Sequence, residues 1–106
     1  MINIFKKYYS KMNSKVIIEA LDSSKTPKAI GPYSKATRID MGNLYMICMS
    51  GNIGLDPQTG DLVSDDVSEQ TKQALENMKN LLEENGGSMD SIAKTTIFLE
   101  VIDCFK

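Results

Sequence analysis

The chain has no histidine, and Arg38 is the only arginine in its 106 residues. Without imidazole there is no Ser-His or Cys-His nucleophile pair and no histidine-dependent zinc site. Cysteine is scarce as well: Cys48 and Cys104 stand far apart and form no CxxC pair. Cys48 lies inside an apolar run, which predicts a buried, reduced thiol that packs as a small hydrophobe. No apolar stretch approaches the roughly 20 residues that a membrane-spanning helix requires. The formal net charge is −2 and the sequence pI about 5.0, against a nucleic-acid partner held by bulk positive charge.

The chain is of single-domain size, and its 42% hydrophobic and 25% charged residues suit a soluble globular protein. Its first residues, MINIFKKYYSKMN, are basic and free of acids. That composition suits the beginning of an organelle-targeting segment. The segment is short and lacks arginine, so residues 1–14 read as a disordered extension or an upstream start, and the expected compartment is the cytoplasm.

Residues 15–21, KVIIEAL, form a β-branched run suited to an edge strand. A polar loop closed by Pro27 follows, and then Gly31-Pro32, which forces a non-helical connection and presents Tyr33. Residues 34–41 alternate loosely up to a turn at Gly42-Asn43. The continuous apolar run 44–49, LYMICM, suits a strand covered on both faces. Asp56-Pro57-Gln58-Thr59-Gly60 reads as a turn.

The clearest element is a helix over about 67–85. Asp66 and Glu69 have capping-box spacing, and Val67, Ala74, Leu75, Met78, Leu81 and Leu82 form one apolar stripe. Gly86-Gly87 supplies a left-handed stop. Lys72, Glu76, Lys79 and Glu83 form the solvated face. Residues 91–101, SIAKTTIFLEV, read as a further strand. The order is therefore strand, strand, strand, helix, strand: an α+β domain. One helix covers one face of such a sheet, so the other face calls for more chain or a partner subunit.

Few residues carry chemistry. Ser50-Gly51-Asn52 follows directly on an apolar strand. A glycine there marks either a bulge or a close approach of backbone to a ligand, and free N–H groups beside it suit a carboxylate or an oxyanion. Tyr33 either packs at a surface edge or covers a ligand. Arg38, the one rigid fork for a carboxylate, sits mid-strand and reads as solvated.

Four blocks taken together, AIGPYSKA (29–36), SGNIGLDPQTGDLV (50–63), EQTKQALENMKNLLEENGGS (69–88) and KTTIFLEVID (94–103), resemble the Rid family. This family is also called YjgF or liver perchloric-acid-soluble protein, and in older usage endoribonuclease L-PSP. The likeness runs in order from about Lys15 to Lys106. It implies a chorismate-mutase-like β-sheet with helices on one face, joined into a barrel-like homotrimer with clefts between neighbouring subunits. The implied activity is hydrolysis of a small 2-imino acid to a 2-keto acid and ammonia, with neither metal nor organic cofactor.

By the same resemblance Tyr33, Ser50, Gly51 and Asn52 are the substrate-binding residues, with Asn52 standing where the family often has glutamine. The family's carboxylate-clamping arginine and water-positioning glutamate would lie beyond Lys106, so no catalytic residue is assigned. Residues 15–106 are expected to be the family domain without its final helix and strands. The run before Ser50 is about two residues longer than the family pattern, an even change that keeps side chains on their faces. Two other functions compete: cleavage of single-stranded RNA, and a catalytically inactive trimer that binds small carboxylates.

Overall fold

The computed structural model describes residues 17–100. Strands β1 (Ile17–Leu21), β2 (Ala36–Asp40) and β3 (Tyr45–Met49) form one antiparallel sheet in the order β1-β2-β3. The β2–β3 turn closes through the Met41 amide, which donates to the Leu44 carbonyl at 2.9 Å, with Gly42 at φ 97°. Only glycine adopts that conformation without strain.

Register determines what each face carries. Leu21, Ala36 and Met49 lie side by side across the three strands, as do Glu19, Arg38 and Ile47. These rows are two residues apart and therefore share a face. Helix α1 (Val67–Glu84) lies against it, and Leu81 joins Leu21 and Ala36 in the core, with Ile47 and Met49 packed alongside. On the opposite face Ile18, Thr37 and Ile39 are buried, whereas Met46 and Cys48 are exposed. The α+β expectation holds.

The helix ends follow local chemistry. The Asp66 carboxylate accepts from the Glu69 amide at 3.0 Å and so caps the first turn. At the other end Gly86 has φ 83°, and the amides of Gly86 and Gly87 donate to the carbonyls of Glu83 and Leu82. This paired closure satisfies two of the last carbonyls. Tyr45 reinforces it by donating its hydroxyl to the Gly86 carbonyl at 2.7 Å.

A polar clasp ties the turn after β1 to its surroundings. Lys35 donates to the Asp22 carboxylate at 2.6 Å, the Ser23 carbonyl at 3.1 Å and the Thr26 hydroxyl at 3.0 Å. The Lys35 hydrogen bond and then the Ser23 amide hold the Asp22 carboxyl below its ordinary range, against a desolvation that raises it. Asn85 bridges the same turn to the helix by donating to the carbonyls of Asp22 and Leu81.

Three expectations require correction. The strand expected over residues 91–101 is not seen: among the described residues, 92–99 pair with no neighbour after the short 3-10 turn Met89–Ser91. Their β-branched composition favours extension, but a strand exists only through a hydrogen-bonded neighbour. The run 44–49 is not covered on both faces, because β3 is an edge strand in the described sheet with Tyr45 and Met46 exposed. For the same reason Cys48 is an exposed free thiol, not a buried one. The amino-terminal extension and the segment with Cys104 lie outside the described residues.

Candidate functional site

Between β3, one side of α1 from Val67 to Leu82 and the extended segment 92–99 lies an open cleft of about 1170 Å³. Ligand pockets usually enclose about 300–1,000 Å³, so this space exceeds what a small metabolite fills. Most of its lining is apolar, including Ile47, Met49, Ala74, Leu75 and Met78. The polar wall is residues 50–54, where the chain leaves β3 and crosses to the helix.

That wall is fixed at its start by Lys35. The Lys35 carbonyl accepts from both the amide and the hydroxyl of Ser50, at 3.0 and 2.9 Å. The Ser50 hydroxyl hydrogen is thus occupied, leaving its oxygen lone pairs as acceptors. Asn52 donates its side-chain amide to the Ser50 carbonyl at 3.0 Å. Because a trans peptide is planar with C=O and N–H antiparallel, this contact also orients the Gly51 amide.

At its other end the wall is pressed onto the helix. An added Cβ on Gly54 would lie 2.6 Å from the Gln70 Cα and 2.7 Å from its carbonyl oxygen, so only glycine permits this approach. Gln70 itself donates to the Ser64 carbonyl at 2.9 Å, holding the incoming segment. Farther along, Asp56 organises the turn by accepting from the amides of Gln58 and Thr59, and Gly60 follows with φ 77°.

Between the two anchors the amides of Gly51, Asn52, Ile53 and Gly54 donate to no acceptor among the described residues. Unpaired N–H groups along a cleft wall are available as donors to an anion. Lys94 is the one charged residue among the described residues lining the cleft. No cluster of three or more His, Cys, Asp or Glu side chains suited to a metal is found among the described residues.

The structure therefore brings Ser50, Gly51 and Asn52 into one wall. It does not bring Tyr33 there: that residue is half exposed and outside the cleft lining, its amide donating to the Gly31 carbonyl at 2.9 Å. Arg38 also lies apart, paired with Glu19 at 2.6 Å and stacked 5.6 Å from the Tyr45 ring centroid. Sequence reasoning missed Lys94 and Asn77. For Asn77 a signal was available, since an asparagine in the apolar stripe of a helix needs a partner.

The family model described as endoribonuclease L-PSP matches residues 23–106. A RutC family protein of Pyrococcus abyssi is 42% identical over 87 residues, 82% of this chain and 65% of its own length. The human 2-iminobutanoate/2-iminopropanoate deaminase is 42% identical over 92 residues, 87% of this chain and 64% of its own length. The chain thus spans somewhat less than two thirds of these curated relatives.

Among solved structures, one of a Thermotoga maritima protein described as a putative endoribonuclease superposes with TM-score 0.72. It has 42% identity and covers 82% of this chain and 65% of its own. That of Escherichia coli TdcF with bound serine has TM-score 0.57 and 35% identity, covering 67% of this chain and 52% of its own. No helix among the described residues is long and apolar enough to cross a membrane.

Proposed function

Because the chain belongs to the endoribonuclease L-PSP family, the Rid or YjgF proteins, we propose that it takes part in hydrolysing reactive 2-imino acids to 2-keto acids and ammonia. The observation that carries this reading is the row of free amides at Gly51–Gly54 beside an apolar cleft. A 2-imino acid offers a carboxylate for the amides and a short aliphatic tail for the apolar wall. The serine bound to the relative TdcF is itself a small carboxylate of this kind.

In the reaction, water oxygen bonds to C2 of the imine while the C=N π electrons move to nitrogen, which takes up a proton. In the resulting carbinolamine the hydroxyl proton passes to nitrogen, the C=O bond forms, and the C–N bond breaks to release ammonia. Gly51 and its neighbours hold the carboxylate and so fix the position of C2, an orientation effect worth several orders of magnitude in rate when complete. Lys94 adds a favourable potential for the anion. Ser50 and Asn52 keep the wall in shape and border the reacting atoms.

The proposed assembly is a homotrimer acting in the cytoplasm. There Tyr33, outside its own chain's cleft, serves a cleft shared with a neighbouring subunit. By the family resemblance, an arginine that clamps the carboxylate and a glutamate that orients water complete the proposed site. No described observation favours RNA cleavage.

The test places the protein with a threonine dehydratase that releases 2-iminobutanoate, alongside semicarbazide as a competing trap. Faster 2-ketobutanoate formation and less trapped adduct are expected, and both weaken when Gly51→Val fills the wall. Saturable binding of 2-ketobutanoate with no acceleration replaces the enzyme by a carboxylate-binding protein. RNA cleavage that survives purification and disappears with Tyr33→Phe replaces it by the nuclease.

A further inference from the structure

We infer that Asn77, on the far side of the loop from the proposed substrate, is a positioning residue for the anion-binding wall; this rests on the function proposed above. Asn77 is 1% exposed in the middle of α1, where asparagine is a poor helix former and a buried amide is costly unless bonded. Its bonds run largely to the loop. The side-chain nitrogen donates to the Leu55 carbonyl at 2.9 Å and reaches the Ile53 carbonyl at 3.5 Å. Its oxygen accepts from Gln73 at 3.0 Å, one helical turn earlier, which fixes the amide's orientation.

The geometry of the peptide unit carries the consequence. The Ile53 carbonyl shares a plane with the Gly54 N–H and points the opposite way. Held between the Leu55 amide, which donates to it at 2.8 Å, and Asn77, that carbonyl turns the Gly54 amide to the opposite side. At the other end Asn52 does the same for the Gly51 amide through the Ser50 carbonyl. Two side-chain amides therefore orient the first and last donors of the row, while Gly54 seats the loop against Gln70. A preorganised donor row binds an anion without first ordering a loop.

A residue that only stabilised the fold would lower the melting temperature and nothing else, so the test needs a local readout. Asn77→Ala removes both contacts to the loop; Gln73→Ala leaves Asn77 in place but frees it to rotate. Asn85→Ala is the control, since it loses contacts to the Asp22 and Leu81 carbonyls at the helix end, outside the cleft lining. Expected are about a tenfold rise in KM for Asn77→Ala with a smaller change in kcat, and a two- to threefold rise for Gln73→Ala. Asn85→Ala should leave KM unchanged while lowering stability.

Backbone amide relaxation of residues 51–54 is read in the same four proteins and needs no activity. Increased motion in both Asn77→Ala and Gln73→Ala, absent in Asn85→Ala, supports the inference even where the unsubstituted protein turns over no imine, a result that would count against the proposed function alone. Unchanged loop order in Asn77→Ala, or an equal effect of Asn85→Ala, overturns it. Should Asn77→Ala fail to fold, Gln73→Ala decides by the same two readouts.

Discussion

The two halves of α1 carry one continuous apolar stripe but meet different surroundings. At the carboxyl end Leu81 is buried against the sheet, Leu82 is buried where it borders the cleft, and the turn from Asp22 to Thr26 is clasped by Lys35 and Asn85. At the amino end Leu75 is 46% exposed, and Val67 and Ala74 face the open cleft. Across that cleft Ile97 and Phe98 are exposed as well, Phe98 at 92%. Amphipathic period thus reports which face of a helix is apolar, while the extent of its cover depends on contacts distant in sequence. The cleft side is where the unused backbone donors lie, and the packed side keeps their support rigid.

Substitutions can break or sharpen this contrast. The largest effect is expected where loop and helix backbones meet. Gly54→Ala should cost about 3 kcal/mol, since its Cβ would overlap Gln70 backbone that has no room to yield. Gly51→Ala meets nothing within 4 Å, so urea unfolding should separate the two sharply. Next come the leucines of the stripe. Leu81→Ala should cost about 3 kcal/mol by leaving a core cavity, and Leu75→Ala less than about 1 kcal/mol, as read from paired denaturation curves. Equal costs would mean that the helix halves are equally packed.

Lys35→Met should be milder, about 1–2 kcal/mol from three lost hydrogen bonds. Ser50 should stay in place, because its anchor is the Lys35 main-chain carbonyl. Nuclear magnetic resonance shifts at Ser50 that match the unsubstituted protein would verify this. The smallest effect concerns pH. Asp22 has a carboxyl held below its ordinary value of 3.8, chiefly by Lys35, so its stabilisation is present above that value and is lost as pH falls through the lowered one. Since Asp22 is largely exposed, solvent screening limits the contribution to about 0.2–1 kcal/mol. The stability gap between the protein and Asp22→Asn should close in acid below pH 3.8 and persist at neutrality.

What could be read from the sequence divides along local and distant causes. Helix α1 was legible nearly to the residue, because Asp66, the apolar period and Gly86 each act within a few positions. Composition reads residues 91–101 as a strand, yet pairing requires a neighbour that composition does not specify. The apolar run around Cys48 likewise predicts a buried thiol, but the strand order puts β3 at an edge among the described residues. Within the site, Ser50-Gly51-Asn52 was visible as a glycine break after a strand. Asn77 is visible as an asparagine within an apolar helix, but its partner, the Leu55 carbonyl, is set by a contact distant in sequence.

Everything in the functional reading depends on an anion meeting the backbone of residues 51–54. The most direct measurement is a titration of the protein with 2-ketobutanoate, followed by amide chemical shifts. Saturating shifts concentrated at Gly51, Asn52, Ile53 and Gly54, weakened by added salt, are the expected result. Shifts that saturate elsewhere while these four amides stay still would contradict it.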